Sequence, residues 1–252
     1  MSPEIKGIAR KVTSILADNS DSPPPSKIGE RANTTSFGPE LGKYRPQLDD
    51  KWGHISVEPF LEMLTNLSGF YKNPTLLDFG TGDCRVPLVS ETAGFTKTYG
   101  VEISKGIIPR SNRIISNLEN ICAIETGEII SDNNYLLRKG NTSLYISEEA
   151  DCFNQDLYNK IFDLNLSEVS IFYLFPGYGM LQKAIDFYIE NAGENSIILA
   201  RDSGEFNNDF NLKGLNCMSL NNGKFYAIGK SDVLKCLNTY IKNNYQQTPT
   251  IS

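Results

Sequence analysis

From Ser56 onward the chain alternates between two hydrophobic rhythms, one with helical spacing and one of short unbroken apolar runs. Pro59 to Leu67 puts Phe60, Met63, Leu64 and Leu67 on one helical face. Thr75-Leu76-Leu77-Asp78-Phe79 is a short apolar strand that runs into glycine. Cys84 to Thr92 predicts a helix and Thr98-Tyr99-Gly100-Val101 a second strand. Another helix follows from about Ile107, with Pro109 in its first turn, where proline gives up only a hydrogen bond that would be missing anyway. Residues 121–141 show no clear period and read as an insertion, with turn signals at Asp132-Asn133-Asn134 and Gly140-Asn141. Leu144-Tyr145-Ile146 predicts a third strand, Val169 to Leu174 a fourth, Tyr178 to Glu190 a helix and Ser196 to Ala200 a fifth strand. Leu215 to Leu220 and Phe225 to Ile228 are then joined by Asn221-Asn222-Gly223, a tight-hairpin signal. Ser231 is placed to cap a last helix running to about Lys242. Repeated β-α units imply an α/β domain with a mostly parallel sheet, helices on both faces and a C-terminal antiparallel hairpin.

The segment before this pattern is different. Seven of the twelve prolines fall in the first sixty residues, and Asp21-Ser22-Pro23-Pro24-Pro25-Ser26 has linker composition. Residues 1–50 read as a partly irregular N-terminal arm. Ile5, Ile8, Val12 and Ile15, with Lys6, Arg10 and Lys11, allow a short amphipathic helix over 4–17. Residues 51–245 read as one domain. The arm carries seven basic and seven acidic residues, so the net charge of −6 (24 Lys and Arg against 30 Asp and Glu) belongs to the rest of the chain. That sign argues against broad electrostatic capture of nucleic acid. No apolar stretch is long enough to span a bilayer. The single histidine, His54, removes zinc sites that need two imidazoles. Five separated cysteines without a Cys-x-x-Cys pair suit a reducing, cytoplasmic setting, with organellar import left open.

The chemistry concentrates in Asp78-Phe79-Gly80-Thr81-Gly82-Asp83-Cys84-Arg85. A strand that passes through Gly-x-Gly into a helix is expected to leave backbone N–H groups beside a ligand's negative end, and glycine allows positive φ and close approach. Glu102 comes nineteen residues after Asp83, at the end of the next strand. Those strands are neighbours in a doubly wound sheet, so its carboxylate is expected beside the loop, able to accept from both hydroxyls of a ribose. The dinucleotide fingerprint needs a third glycine where this chain has Arg85. Asp78 and Asp83 flank the loop with charge that suits a cation better than a pyrophosphate.

These segments, with Tyr99-Gly100-Val101-Glu102, resemble the first two motifs of class I, seven-strand S-adenosylmethionine-dependent methyltransferases, over roughly residues 56–230. Gly-Thr-Gly-Asp-Cys-Arg followed by Gly-Val-Glu most resembles the archaeal and mitochondrial-type seven-strand lysine methyltransferases, which typically read Asp-Leu-Gly-Ser-Gly-Asp-Gly-Arg. The resemblance implies a Rossmann-like seven-stranded sheet. It also implies S-adenosyl-L-methionine held by Asp78, Gly80, Thr81, Gly82, Arg85, Glu102 and Ile103. Asp151 would meet the adenine amino group, Phe153 the ring face, Cys152 would lie between them, and Tyr173 is expected to touch the cofactor as well. Cys84 departs from the family's third glycine.

After the fourth strand, Tyr173-Leu174-Phe175-Pro176 is expected to face the transferable methyl, with Tyr173, Phe175 and Pro176 as candidate catalytic residues. The Asn- or Asp-Pro-Pro-aromatic sequence of family members that methylate nucleobases or glutamine is absent. The first reading is therefore transfer to an amine nitrogen, protein lysine favoured, with no metal. The alternatives are a small-molecule N- or O-methyltransferase with the arm and the 121–141 insertion as a lid, and a non-catalytic cofactor-binding module, supported by Cys84.

Overall fold

Apolar runs bounded by turn residues become the strands of a single sheet. The computed structural model describes residues 57–81, 85–102, 128–131, 134–147, 150–175, 180–202, 211–221 and 223–245. The N-terminal arm, including the 4–17 helix read from the sequence, lies outside them, as does His54. The described elements are α1 (Val57–Ser68), β1 (Thr75–Phe79), α2 (Arg85–Thr92), β2 (Lys97–Glu102), β3 (Glu128–Ser131) and β4 (Asn134–Lys139). They continue with β5 (Thr142–Ser147), α3 (Gln155–Phe162), β6 (Ile171–Leu174), α4 (Met180–Asn191), β7 (Ile197–Arg201), β8 (Asn216–Leu220), β9 (Phe225–Gly229) and α5 (Ser231–Tyr245).

The strand order is β3-β4-β5-β2-β1-β6-β7-β9-β8. β5, β2, β1, β6 and β7 pair parallel. β9 runs antiparallel to β7, and β8 antiparallel to β9. The seven strands read from the sequence are all present, in a Rossmann-like arrangement closed by the expected hairpin. Two strands are added. The described part of the segment read as an insertion is the antiparallel pair β3 and β4, with β4 laid against β5. Its register Asn134↔Ser147 to Lys139↔Thr142 continues the sheet beyond β5. Helix α3 was also unexpected. Asn154 caps it, its side chain accepting from the Asp156 N–H, and Tyr158 and Phe162 form its buried stripe.

Because the parallel strands are covered on both faces, their side chains are apolar in both directions. One core layer joins Leu76, Leu144, Tyr173, Leu199 and Ala227 to Phe60 and Leu64 of α1, Val86 and Val89 of α2, and Leu234 and Leu237 of α5. The other joins Leu77, Phe79, Val101, Phe172 and Ile198 to Tyr158 and Phe162 of α3 and to Leu181, Ile185, Phe187 and Tyr188 of α4. Each fully buried side chain of this size stabilises the fold by roughly 1.5–3 kcal/mol, so the two layers hold the carboxyl edge of the sheet as a rigid platform. Sequence order reverses at that edge between β1 and β6, the place where open α/β sheets hold ligands.

Among the described residues, no helix is long and apolar enough to cross a membrane.

Candidate active site

β1 ends at Phe79, and Gly80 then takes φ +74°. A Cβ there would touch nothing within 4 Å, so the left-handed backbone, not crowding, calls for glycine. The Gly80 and Thr81 N–H groups both donate to the Val101 carbonyl, at 3.0 and 2.9 Å. This corrects the simplest expectation for the loop. Those two donors are spent on fastening it to β2 and do not face a ligand. Fastening it there places Glu102, the next residue of β2, directly beside the loop. Gly82, Asp83, Cys84 and Ile103 lie outside the described residues. Arg85 opens α2, and its side chain is likewise outside them.

Three polar side chains are buried at this edge: Asp78 (2% exposed), Thr81 (5%) and Glu102 (8%). Asp78 is level with Gly100 on one side and Tyr173 on the other. Side chains two apart share a face, so Glu102 lies on the same face as these. The Thr81 hydroxyl is buried without a hydrogen-bond partner. It lies where a Cβ on Gly100 would come within 2.8 Å of its Oγ1. Glycine at position 100 is thus what lets the loop close down on β2.

A second loop, after β5, completes this half of the site. The Asp151 carboxylate accepts from the Phe153 N–H at 3.0 Å, and the Asp151 carbonyl accepts from the Asn154 N–H at 3.0 Å. The buried Tyr158 hydroxyl donates to the Cys152 carbonyl at 2.5 Å. The Phe153 ring packs 5.2 Å from Phe79 and 6.0 Å from Phe187. Asp151 itself is exposed, while Cys152 and Phe153 are half-buried. Burial pushes the Cys152 thiol up to about 12, and the charges of Asp151, Glu102 and Asp78 push the same way. Burial raises the Tyr158 phenol too, with Asp151 and Asp78 contributing. Carboxylates from β1, β2 and the β5 loop thus gather around one sulfur.

The thiol chemistry can be checked directly. The reactive species is the thiolate, so at pH 8 Cys152 is expected to be alkylated by iodoacetamide at least tenfold more slowly than the exposed Cys236. Peptide mass spectrometry of the folded protein reads both rates, and in urea the difference should vanish. Equal rates in the folded protein would mean that Cys152 is not held in a buried, acid-lined loop.

The β6 side is aromatic. Tyr173, 2% exposed, lies edge-on to Phe60 of α1 at 5.8 Å within the first core layer. Phe60 in turn stacks on Phe225 at 5.5 Å. Phe175, just past β6, is half-buried, and the Arg201 guanidinium lies 4.9 Å from its ring centroid. Pro176 is outside the described residues. Sequence reasoning missed Arg201. The signal was available in principle: a charged residue closing an apolar parallel strand at the carboxyl edge. Among the described residues, no three or more His, Cys, Asp or Glu side chains gather in a way that would hold a metal ion.

No family model matches the chain, and a search of curated proteins finds no match. Solved structures give distant likenesses. An RNA methyltransferase from Salinibacter ruber, in complex with S-adenosyl-L-homocysteine, is 15% identical, with a TM-score of 0.40 over 68% of this chain and 90% of the other. A ribosomal protein L11 methylase from Lactobacillus delbrueckii subsp. bulgaricus is 11% identical, with a TM-score of 0.42 over 69% of this chain and 79% of the other. Likeness at this level carries no chemistry across.

Proposed function

We propose that the chain is an S-adenosylmethionine-dependent methyltransferase that acts on an amine nitrogen, with protein lysine the favoured acceptor. The observation that carries the reading is Glu102. It is a buried carboxylate at the end of β2, one residue past the carbonyl that fastens the glycine loop, beside the point where the strand order reverses.

A ribose needs an acceptor of that kind in that place, and the site's other charges suit a sulfonium. The residues present fit the cofactor: Asp78, Glu102 and Asp151 supply negative charge, while a pyrophosphate would meet three carboxylates. When bound, the cofactor supplies a methyl carbon whose bond to sulfur breaks as the bond to nitrogen forms, the sulfur keeping the electron pair. The chain's own part is to align the reactants, which is the main source of rate in such a displacement. Glu102 would orient the ribose, the Thr81 side chain would seat the loop on Gly100, and Asp151 and Phe153 would take the adenine. Phe175 would wall the acceptor side, and Tyr173, buried against Phe60, would support that wall from within the core. A lysine amine, with an ordinary pKa near 10.4, has to arrive neutral, and apolar aromatic surroundings favour the neutral form. The proton has left to water before the neutral amine attacks, and the product is the methylated ammonium.

Calorimetry with S-adenosylmethionine and S-adenosylhomocysteine tests the cofactor. Incubation of the full chain with methyl-labelled cofactor and a cell lysate tests transfer, and acid hydrolysis followed by amino-acid analysis tests the acceptor. The expected results are binding of both ligands and label recovered as methyl-lysine. Failure to bind either ligand would sink the enzyme reading. Label confined to small molecules would sink the lysine assignment.

A further inference from the structure

The loop after β5 contains a four-residue turn. The Asp151 carbonyl accepts from the Asn154 N–H at 3.0 Å, which leaves Cys152 and Phe153 as the central residues. Asp151 Oδ1 accepts from the Phe153 N–H at 3.0 Å, so one carboxylate oxygen is engaged by the turn itself. The residue is exposed, and its Oδ2 is left accessible to a ligand. The carbonyl of the first central residue finds no partner inside such a turn. That of Cys152 is met from outside, by the Tyr158 hydroxyl at 2.5 Å.

Tyr158 stands on the first turn of α3 and is 0% exposed. Its ring lies 6.5 Å from Phe79, 6.3 Å from Phe162 and 6.0 Å from Phe187. Those neighbours are all phenylalanine, and phenylalanine at 158 would serve the packing equally well. A buried hydroxyl is costly unless it is bonded, and this one is bonded to the ligand loop and not to the core around it. The Phe153 ring reaches the same Phe79 and Phe187. Asn154 closes the turn with its N–H and caps α3 with its side chain, which accepts from the Asp156 N–H at 3.0 Å. Turn and helix are therefore one unit, pinned at the Phe153 ring, the Cys152 carbonyl and the Asn154 cap.

We infer that Tyr158 is the positioning residue for base selection: by holding the Cys152 carbonyl it aims Asp151 at the exocyclic amino group of a purine. This rests on the methyltransferase reading, with the adenine at Asp151 and Phe153. A 6-amino purine offers Asp151 Oδ2 a donor. A 6-oxo purine turns an acceptor oxygen toward it, so the wrong base is rejected by repulsion as well as by a missing bond. Rejection of that kind needs a carboxylate held in place. A turn able to swing aside would evade the repulsion and lose the preference.

The test uses the full chain, calorimetry, S-adenosylhomocysteine and its analogue in which hypoxanthine replaces adenine. The parent chain is expected to bind the adenine ligand about thirtyfold more tightly or better, the scale of a hydrogen bond to a charged group. Tyr158→Phe keeps the ring and removes the hydroxyl. It should lower that ratio at least fivefold, while the Kd for the hypoxanthine ligand stays within threefold of the parent's. A residue that only stabilised the fold would weaken both ligands alike and leave the ratio where it was. In an Asp151→Ala chain no carboxylate remains to be aimed, so adding Tyr158→Phe should change the ratio less than twofold, the non-additivity of residues that act together.

A parent chain that binds both purines alike overturns the inference and leaves the methyltransferase reading intact. So does a Tyr158→Phe chain with the parent's ratio, or an effect of Tyr158→Phe that is the same with and without Asp151. A parent chain that binds neither ligand overturns both. If circular dichroism shows that Tyr158→Phe does not fold, Asn154→Ala takes its place, because loss of the cap frees the first turn of α3 and Tyr158 with it. A ratio lowered at least threefold in that chain supports the inference, and an unchanged ratio overturns it.

Discussion

Replacement of Glu102 by alanine is expected to raise the Kd for S-adenosylmethionine by roughly a hundredfold or more, with the chain still folded. Hydrogen bonds to a charged group contribute about 1.5–3 kcal/mol each. Two of them, to the two ribose hydroxyls, amount to about 3 kcal/mol or more, and each 1.4 kcal/mol is tenfold in affinity. The buried position of Glu102 strengthens the effect, because an acceptor already removed from water loses little hydration when the ligand arrives. Glu102→Gln keeps the volume and one acceptor oxygen but replaces the other with a donor, so its affinity should lie between those of the parent and alanine chains. Calorimetry measures both, and circular dichroism with a thermal midpoint checks the fold. A Kd for Glu102→Ala within threefold of the parent would remove the observation on which the proposed function stands.

The same residue shows how much of the site can be read from sequence. The nineteen-residue spacing from Asp83 to Glu102 sets the acid at the end of the next strand, and the parallel β1–β2 register places it beside the loop. Asp78 is legible too, as one acid inside an apolar run, and it is buried at 2%. What stayed hidden depends on register or on three-dimensional fit. β4 carries Asn134, Arg138 and Lys139 beside its apolar residues, so it lacks the unbroken apolar run that marks a strand buried on both faces. α3 has only eight residues and a polar approach, and its Asn154 cap gains meaning only when Tyr158 and Phe162 are seen to be buried. The Arg201–Phe175 pair joins residues twenty-six apart, through a β6–β7 register that no local pattern states. Hydrophobic periodicity places elements and their buried faces. It does not say which residue of one strand lies level with which residue of the next.

Gly100 is the other residue whose meaning comes from fit, and Gly100→Ala is the sharpest test of how the loop is seated. A Cβ there would lie 2.8 Å from both Leu144 Cδ2 and Thr81 Oγ1 and 2.9 Å from Thr81 Cβ. The Leu144 methyl is the end of a side chain that can rotate, although it is fully buried. Thr81 has less freedom. Its own N–H is bonded to Val101, and it follows Gly80, which holds φ +74°. Overpacking of this kind costs about 1–3 kcal/mol, and here the strain falls on the loop that the ligand needs. Gly100→Ala is therefore expected to lower the thermal midpoint and to weaken cofactor binding at least tenfold. If the clash with Thr81 is the cause, removing that side chain should relieve it. The double variant Gly100→Ala, Thr81→Gly is then expected to be more stable than the sum of the two single changes predicts, by about 0.5 kcal/mol or more, the signature of residues in contact. Thr81→Ser keeps both Cβ and Oγ and should give no such relief. Additive effects in the double variant would mean that β2 yields toward Leu144 and the loop is not seated on Gly100, and the close approach of the two strands would then need another cause.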